Sequence, residues 1–302
     1  MHPLRNCTAA VAALGIGLLC AASVRSVYAA PAPVDAATLA KIRDAAMSDD
    51  WAWQHLAALT DKIGPRLSGS PQQAAAVTQV ADAMRALGAQ VTLQPAKVPH
   101  WVRGEERAEL VEYPGRPAGI TQRLHLTALG GSSATPASGL TARVIVVHDF
   151  EELKARSREV SGNIVLFRAR FDQRLADNGN ASDAYRQAVL YRGSGPSAAA
   201  VLGAAAALVR SVGGADYRLP HTGATVWKDK QAAIPAAALT AEDADLVVRL
   251  AESGPVTLKL LLTPQMLPDA DSNNVIADWP GREKPGEYVA HPLETAGVAE
   301  RF

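Results

Sequence analysis

Cysteine is almost missing from this chain. Only Cys7 and Cys20 carry a thiol among 302 residues, and both lie before residue 30. Once that segment is removed, no disulfide, thiol nucleophile or thiolate zinc site can be built. Net charge is missing too, with Lys+Arg 30 against Asp+Glu 30. That balance excludes nucleic acid or an anionic membrane surface as a partner held by bulk charge. Aromatics are sparse, at 5%. Self-contained catalytic motifs are absent as well. No His-Glu-x-x-His presents two imidazoles on a helix face, no Gly-x-Ser-x-Gly elbow occurs, and no glycine-rich loop cradles phosphate.

What is present begins with an export signal over residues 1–29. His2 and Arg5 form a weakly basic start, Ala9 to Ala22 is a short apolar run, and Val27-Tyr28-Ala29 offers the small residues a signal peptidase reads. The run is shorter than the roughly 20 residues a membrane span needs. An uncleaved anchor is the alternative reading. Leu19 is too large for a lipobox before Cys20. No membrane contact beyond the signal segment is expected.

Hydrophobic content of 48% is enough for a core. Asp35 to Met47 and Asp49 to Lys62 read as helices, the second stopped by Gly64-Pro65. Ser70, Pro71 and Gly88 supply the N-cap, first position and C′ of a third helix. Gln90 to Val98 and Ala108 to Tyr113 read as strands, and Leu126 to Gly139 as a small-residue loop. Val144 to Val147, Phe150 to Arg158 and Ile164 to Phe167 form strand, helix and strand, a parallel crossover. Ala184 to Tyr191 and the alanine-rich Ala198 to Val212 read as helices. Thr240 caps another, with Asp243 at N3 and Gly254 closing it. Val256 to Leu262, Asn274 to Trp279 and Glu287 to Val289 read as strands. The pattern is an α/β domain interrupted by a smaller α/β insert.

Six histidines follow the signal: His55, His100, His125, His148, His221 and His291. None pairs with another at helical spacing. His55 reads as a surface or packing residue and His100 as a contact from loop to core. His148-Asp149 ends a buried strand, a place for a ligand in an open sheet or for a cap on the next turn. Asp269 and Asp271 could touch a hard cation, or form a solvated linker. Gly130-Gly131-Ser132-Ser133 reads as a flexible connector.

Several segments, taken in order, resemble the co-catalytic zinc exopeptidase family in its carboxypeptidase Q-like branch. They are Ile63 to Ser70, Val98-Pro99-His100-Trp101-Val102-Arg103-Gly104, Ala128 to Ser132, Val146 to Leu153, Arg210 to Gly213, Pro220 to Gly223, Ser272 to Ile276 and Pro280 to Glu283. The resemblance spans about residues 40 to 289. It implies an α/β zinc-exopeptidase domain over 30–124, a protease-associated insert over 125–265, and a return to the first domain over 266–302. It also implies an exported enzyme that removes terminal residues from small peptides with two zinc ions. The family's first ligand would stand in Gly-Gly-His-Leu-Asp-Ser-Trp after Val289. Here the chain reads Ala290-His291-Pro292-Leu293-Glu294 and stops at Phe302. His291 is either a displaced remnant of that ligand or a chance histidine. One histidine cannot hold a catalytic zinc, which takes about three protein ligands. The chain as given is therefore expected to be truncated, to bind no zinc and to be inactive. The alternatives are a protease-associated module that binds peptides or proteins, or a fragment without function.

Overall fold

The structure, a computed structural model, describes residues 35–213, 217–228, 230–282 and 285–286. The expected signal segment, the strand at Glu287 to Val289, His291 and Glu294 lie outside these residues.

The chain divides into two units, residues 1–54 and 55–302. In the first, α1 (Ala36–Ser48) starts at Asp35, whose carboxylate accepts the Ala37 N–H. None of its residues is buried. The short helix α2 (Trp51–Ala57) begins in the first unit and ends in the second.

In the second unit a π-helical turn over Ala58–Ile63 follows, where an α-helix was expected to run on to Lys62. Helix α3 (Pro71–Ala86) starts as its sequence dictates, with the Ser70 hydroxyl accepting the Gln73 N–H at 3.1 Å and Pro71 first in the helix. Two long strands, β1 (Gln90–Val102) and, at the far end of the described chain, the last strand (Gln265–Asp278), form an antiparallel ribbon from Gln90↔Asp278 to Val102↔Gln265. Helix α3 packs against both. The linker expected around Asp269 and Asp271 is overturned here, because both lie in the last strand.

Between the two strands of the ribbon the chain builds a larger sheet. Its elements in order are β2 (Glu106–Glu112), β3 (Gln122–Leu124), β4 (Leu126–Ala128), β5 (Leu140–Val147), α4 (Phe150–Ala155), α5 (Ser157–Val160), β6 (Ile164–Phe167), α6 (Gln173–Leu175), α7 (Ala181–Val201), β7 (Ala206–Arg210), β8 (Ala236–Leu239), α8 (Ala241–Ser253) and β9 (Thr257–Leu262). The ribbon's second strand is then β10. The eight strands lie in the order β3-β2-β9-β5-β6-β7-β8-β4. Strands β5 to β8 are parallel, and antiparallel strands flank them. Strands β2 and β3 precede residue 125 yet are hydrogen-bonded into this sheet.

Side chains alternate across a strand with period two, and here both faces are buried. Val144, Ile164, Leu166, Leu208 and Leu239 face one core with Ala244 and Val247 of α8. Ile145, Val165, Phe167 and Val209 face the other with Leu153, Val160 and Ala199 from α4, α5 and α7. The result is three layers, helix on sheet on helix, the arrangement that continuous apolar strands require. The fold class is α/β.

One expected helix, Ala198 to Val212, is wrong beyond Val201. Helix α7 ends at Val201, Gly203 turns the chain at φ +79°, and Ala206–Arg210 is a central strand. Alanine favours helices, but between β6 and β8 small residues let the two helical layers approach the sheet. The same effect hid β8, Ala-Ala-Ala-Leu, whose four residues are all buried.

Ribbon and sheet join at two crossings clamped together. Thr263 donates its N–H to Glu105 O at 3.0 Å, and the Glu105 N–H goes to Thr263 Oγ1 at 2.7 Å. Gly104 sits at φ +73°, and a Cβ there would lie 2.1 Å from Thr263 O. Trp101, buried, donates its indole N–H to Ser132 O at 3.1 Å.

Candidate functional site

In an open α/β sheet, ligands gather at the carboxyl ends of parallel strands. At the end of β5, His148 and Asp149 build a helix cap. The Asp149 carboxylate accepts the Glu152 N–H at 2.8 Å, and Glu152 returns an oxygen to the His148 N–H at 2.7 Å. The His148 ring lies 3.2 Å from Asp149, Nδ1 to Oδ2. The Glu152 N–H first, and then His148, hold the Asp149 carboxyl below its usual value. Of the two readings of His148, the geometry is that of the cap.

Beyond β7 and β8 lies a cleft of about 490 Å³, lined by Ser211, Val212, Leu219, Pro220, His221 and Ala241. His221 is fixed from two sides. Its N–H donates to Ser211 Oγ at 2.8 Å, and its Nδ1 bonds Val212 O at 2.5 Å. The Tyr185 ring stands 5.9 Å from the imidazole.

Behind this cleft, Asp243 is a buried carboxylate with four donors. The His125 N–H reaches it at 2.6 Å, His125 Nδ1 at 3.2 Å, and Arg218 at 2.7 Å through Nη2 and 3.2 Å through Nε. Burial pushes its acidity down. The Arg218 guanidinium, together with the His125 N–H and ring, outweighs burial and leaves the carboxyl below its usual value. Arg218 holds φ +50°, and its N–H donates to Glu242 at 2.9 Å. Thr240 caps α8 as expected, accepting the Asp243 N–H at 3.1 Å. The Asp243 side chain, expected only as the third residue of that helix, ties β3–β4, the 217–222 segment and α8 together. No sequence signal announced Arg218, because its partner lies 25 residues away.

A buried cation, Arg192, was also missed. Arg192 of α7 donates Nη1 to Tyr185 Oη at 3.1 Å and Thr222 O at 3.3 Å, while its Nε has no partner among the described residues. Gly223 lies directly over it, and a Cβ there would be 2.5 Å from Arg192 Cζ.

The remaining expectations fall in separate places. His55 is half-buried, and its carbonyl accepts from Gln79 at 3.4 Å. The His100 ring packs on Gly69. Asp269 and Asp271 lie in β10, and Asp271 pairs with Lys97 across the ribbon at 2.7 Å, so they form part of a strand and not a linker. Gly130 to Ser133 is not a free connector. Gly130 bridges Ala224, Trp227 donates to Gly131 O at 2.8 Å, and Trp101 to Ser132 O. Among the described residues no three of His, Cys, Asp and Glu converge to hold a metal ion. The described residues therefore do not fit a zinc pair.

No protein-family model matches the chain. Among curated proteins it is similar to carboxypeptidase Q of Xenopus laevis, 37% identical over 239 residues, and to carboxypeptidase Q of Homo sapiens, 36% identical over 242 residues. Each match covers 78% of this chain and 47% of the relative. Among solved structures it is similar to a peptidase M28 precursor from Shewanella amazonensis SB2B. There the TM-score is 0.71 at 32% identity, over 80% of this chain and 53% of that one. The chain thus spans about half the length of the curated relatives it matches.

Proposed function

We propose, with kinship to the co-catalytic zinc exopeptidases of the carboxypeptidase Q branch as the premise, that this chain is part of an exported metallo-exopeptidase acting on terminal peptide bonds of small peptides. The single observation that carries the reading is identity of 37% held across 239 residues, 78% of this chain. In this reading the described residues supply scaffold. The ribbon begins the peptidase domain, and the eight-stranded unit is the protease-associated insert. In that family two zinc ions activate water and polarise the scissile carbonyl. Nothing among the described residues would hold them.

The second reading is a protease-associated module that binds peptides. It is favoured by a sheet with cores on both faces and clefts of its own.

The test uses the chain from Ala30 onward, purified with zinc present. Metal analysis and release of residues from a dipeptide panel are measured together. About two equivalents of zinc with hydrolysis supports the enzyme. Absence of both rejects it for this chain, and a peptide-binding titration then separates a binding module from an inert fragment. N-terminal sequencing of secreted protein, expected to start at Ala30, tests export.

A further inference from the structure

Five asparagines follow residue 30, namely Asn163, Asn178, Asn180, Asn273 and Asn274, and only Asn178 precedes a glycine. It stands in the π-helical turn Ala176–Asn180 that joins α6 to α7. Gly179 breaks that turn, with φ +84° and ψ 5°, and the regular helix starts beyond it at Ala181. Both Asn178 and Gly179 are exposed, and a Cβ built on Gly179 would meet nothing within 4 Å.

The asparagine amides are not equivalent. Asn163 donates to Glu159 O at 2.8 Å, Asn274 to Gln94 Oε1 at 3.1 Å, and Asn180 to Asn178 O at 3.2 Å. Asn273 and Asn274 are also held in the paired strand β10. The Asn178 side chain has no hydrogen bond among the described residues. An unbonded amide can turn its carbonyl carbon onto the next backbone nitrogen. A side chain on that next residue crowds the approach. Glycine has none, and left-handed backbone costs it little.

We infer that Asn178-Gly179 is a site of spontaneous self-modification that needs only water. The Gly179 nitrogen attacks Asn178 Cγ, and a C–N bond forms. The Cγ–Nδ2 bond breaks, and the amide leaves as ammonia with the proton given up by the Gly179 N–H. Water then opens the cyclic imide at either carbonyl. One opening gives aspartate. The other gives isoaspartate, whose main chain runs through the former side chain. Either product adds one negative charge to a chain whose formal net charge is +0. The charge falls just ahead of α7, whose cap Asn180 makes no side-chain bond and whose first N–H groups favour a carboxylate. The inference does not depend on zinc or on peptide hydrolysis.

The test holds the folded full chain at neutral pH and follows each asparagine by peptide mapping and mass spectrometry. Isoaspartyl-specific enzymatic methylation is the second readout. Conversion at Asn178 is expected at least about tenfold faster than at Asn180, Asn163 or Asn274. The methyl label should be confined to the peptide that holds residue 178. Asn178→Gln keeps the amide but sets it one carbon further along the side chain, and should abolish the label with an unchanged unfolding midpoint. Gly179→Ala should slow conversion about tenfold. If its left-handed backbone makes that variant unstable, Asn178→Gln still decides. The same chain in urea supplies the unshielded rate. Conversion at Asn178 no faster than at Asn180, a label that survives in Asn178→Gln, or a folded rate more than about tenfold below that in urea overturns the inference.

Discussion

Asp243 makes a single side chain answerable for the acid stability of a whole corner of the sheet. Its carboxyl titrates lower in the folded chain than in the unfolded one, where it would sit near about 3.9. A depressed acid stabilises the fold above the unfolded value, and that contribution is lost as pH falls through the folded value. Asp243→Asn keeps the shape but leaves Arg218 and the His125 N–H facing an amide. We expect it to cost about 1–3 kcal/mol near neutrality and to flatten the decline of the urea midpoint below about pH 5. Midpoints of parent and variant that run parallel down to about pH 3 would show that this carboxylate is not the source. A second position separates strain from collision. Gly104 and Gly119 both hold positive φ, +73° and +76°, but only Gly104 faces backbone that a Cβ would strike. Gly119→Ala should cost about 1 kcal/mol through the left-handed backbone alone. Gly104→Ala should cost clearly more, because Thr263 O belongs to the clamped crossing and cannot yield cheaply. Equal unfolding losses for the two variants would remove the argument for a tight junction.

Strands β7 and β8 are held by fit between layers more than by the size of their side chains. Leu208 is wholly buried, and truncation to alanine should cost about 2–5 kcal/mol. Ala238, equally buried on the opposite face, should resist enlargement, with Ala238→Leu costing about 1–3 kcal/mol. Urea unfolding of both variants checks this, and a neutral Ala238→Leu would mean that the α7 layer does not press on the sheet there. The same chemistry decided what could be read in advance. Ser70-Pro71 and Thr240 were legible because capping is local, and a hydroxyl three residues from its partner leaves its mark in the sequence. Val144 to Val147 and Ile164 to Phe167 were legible because branched residues in a run bounded by turns have few other uses. Ala206-Ala207 and Ala236 to Ala238 were not, since alanine says helix until the layers on either side are known. The candidate site was the least legible part. His148 was singled out for its place at a strand end and proved to stand just before Asp149, the cap of α4. Arg218 drew no attention, because only the fold brings it to Asp243.

At the scale of the molecule the two sheets are unequal partners. In the large sheet the central strands β6 and β7 are covered on both faces and paired along both edges for most of their length. The ribbon pairs β1 only with β10 among the described residues, and α3 is the helix packed against it. A two-stranded sheet is marginal by itself, and its outward N–H and C=O groups have only water to satisfy them unless another strand arrives. Opening free energy should therefore be graded across the chain. Amides of Ile164–Phe167 and Ala207–Val209 should exchange only through opening close to global unfolding. Those of β1 and β10 should exchange through openings lower by more than about 2 kcal/mol. The clamp at Glu105 and Thr263 should mark the step between the two regimes, since there the backbones of the two crossings between ribbon and sheet are bonded to each other. Native-state hydrogen exchange read residue by residue tests the gradient. Uniform protection from Gln90 through Asp278 would mean that the ribbon draws its stability from something other than the pairing and packing seen here. A step at any place other than Glu105 and Thr263 would move the boundary between the cooperative units.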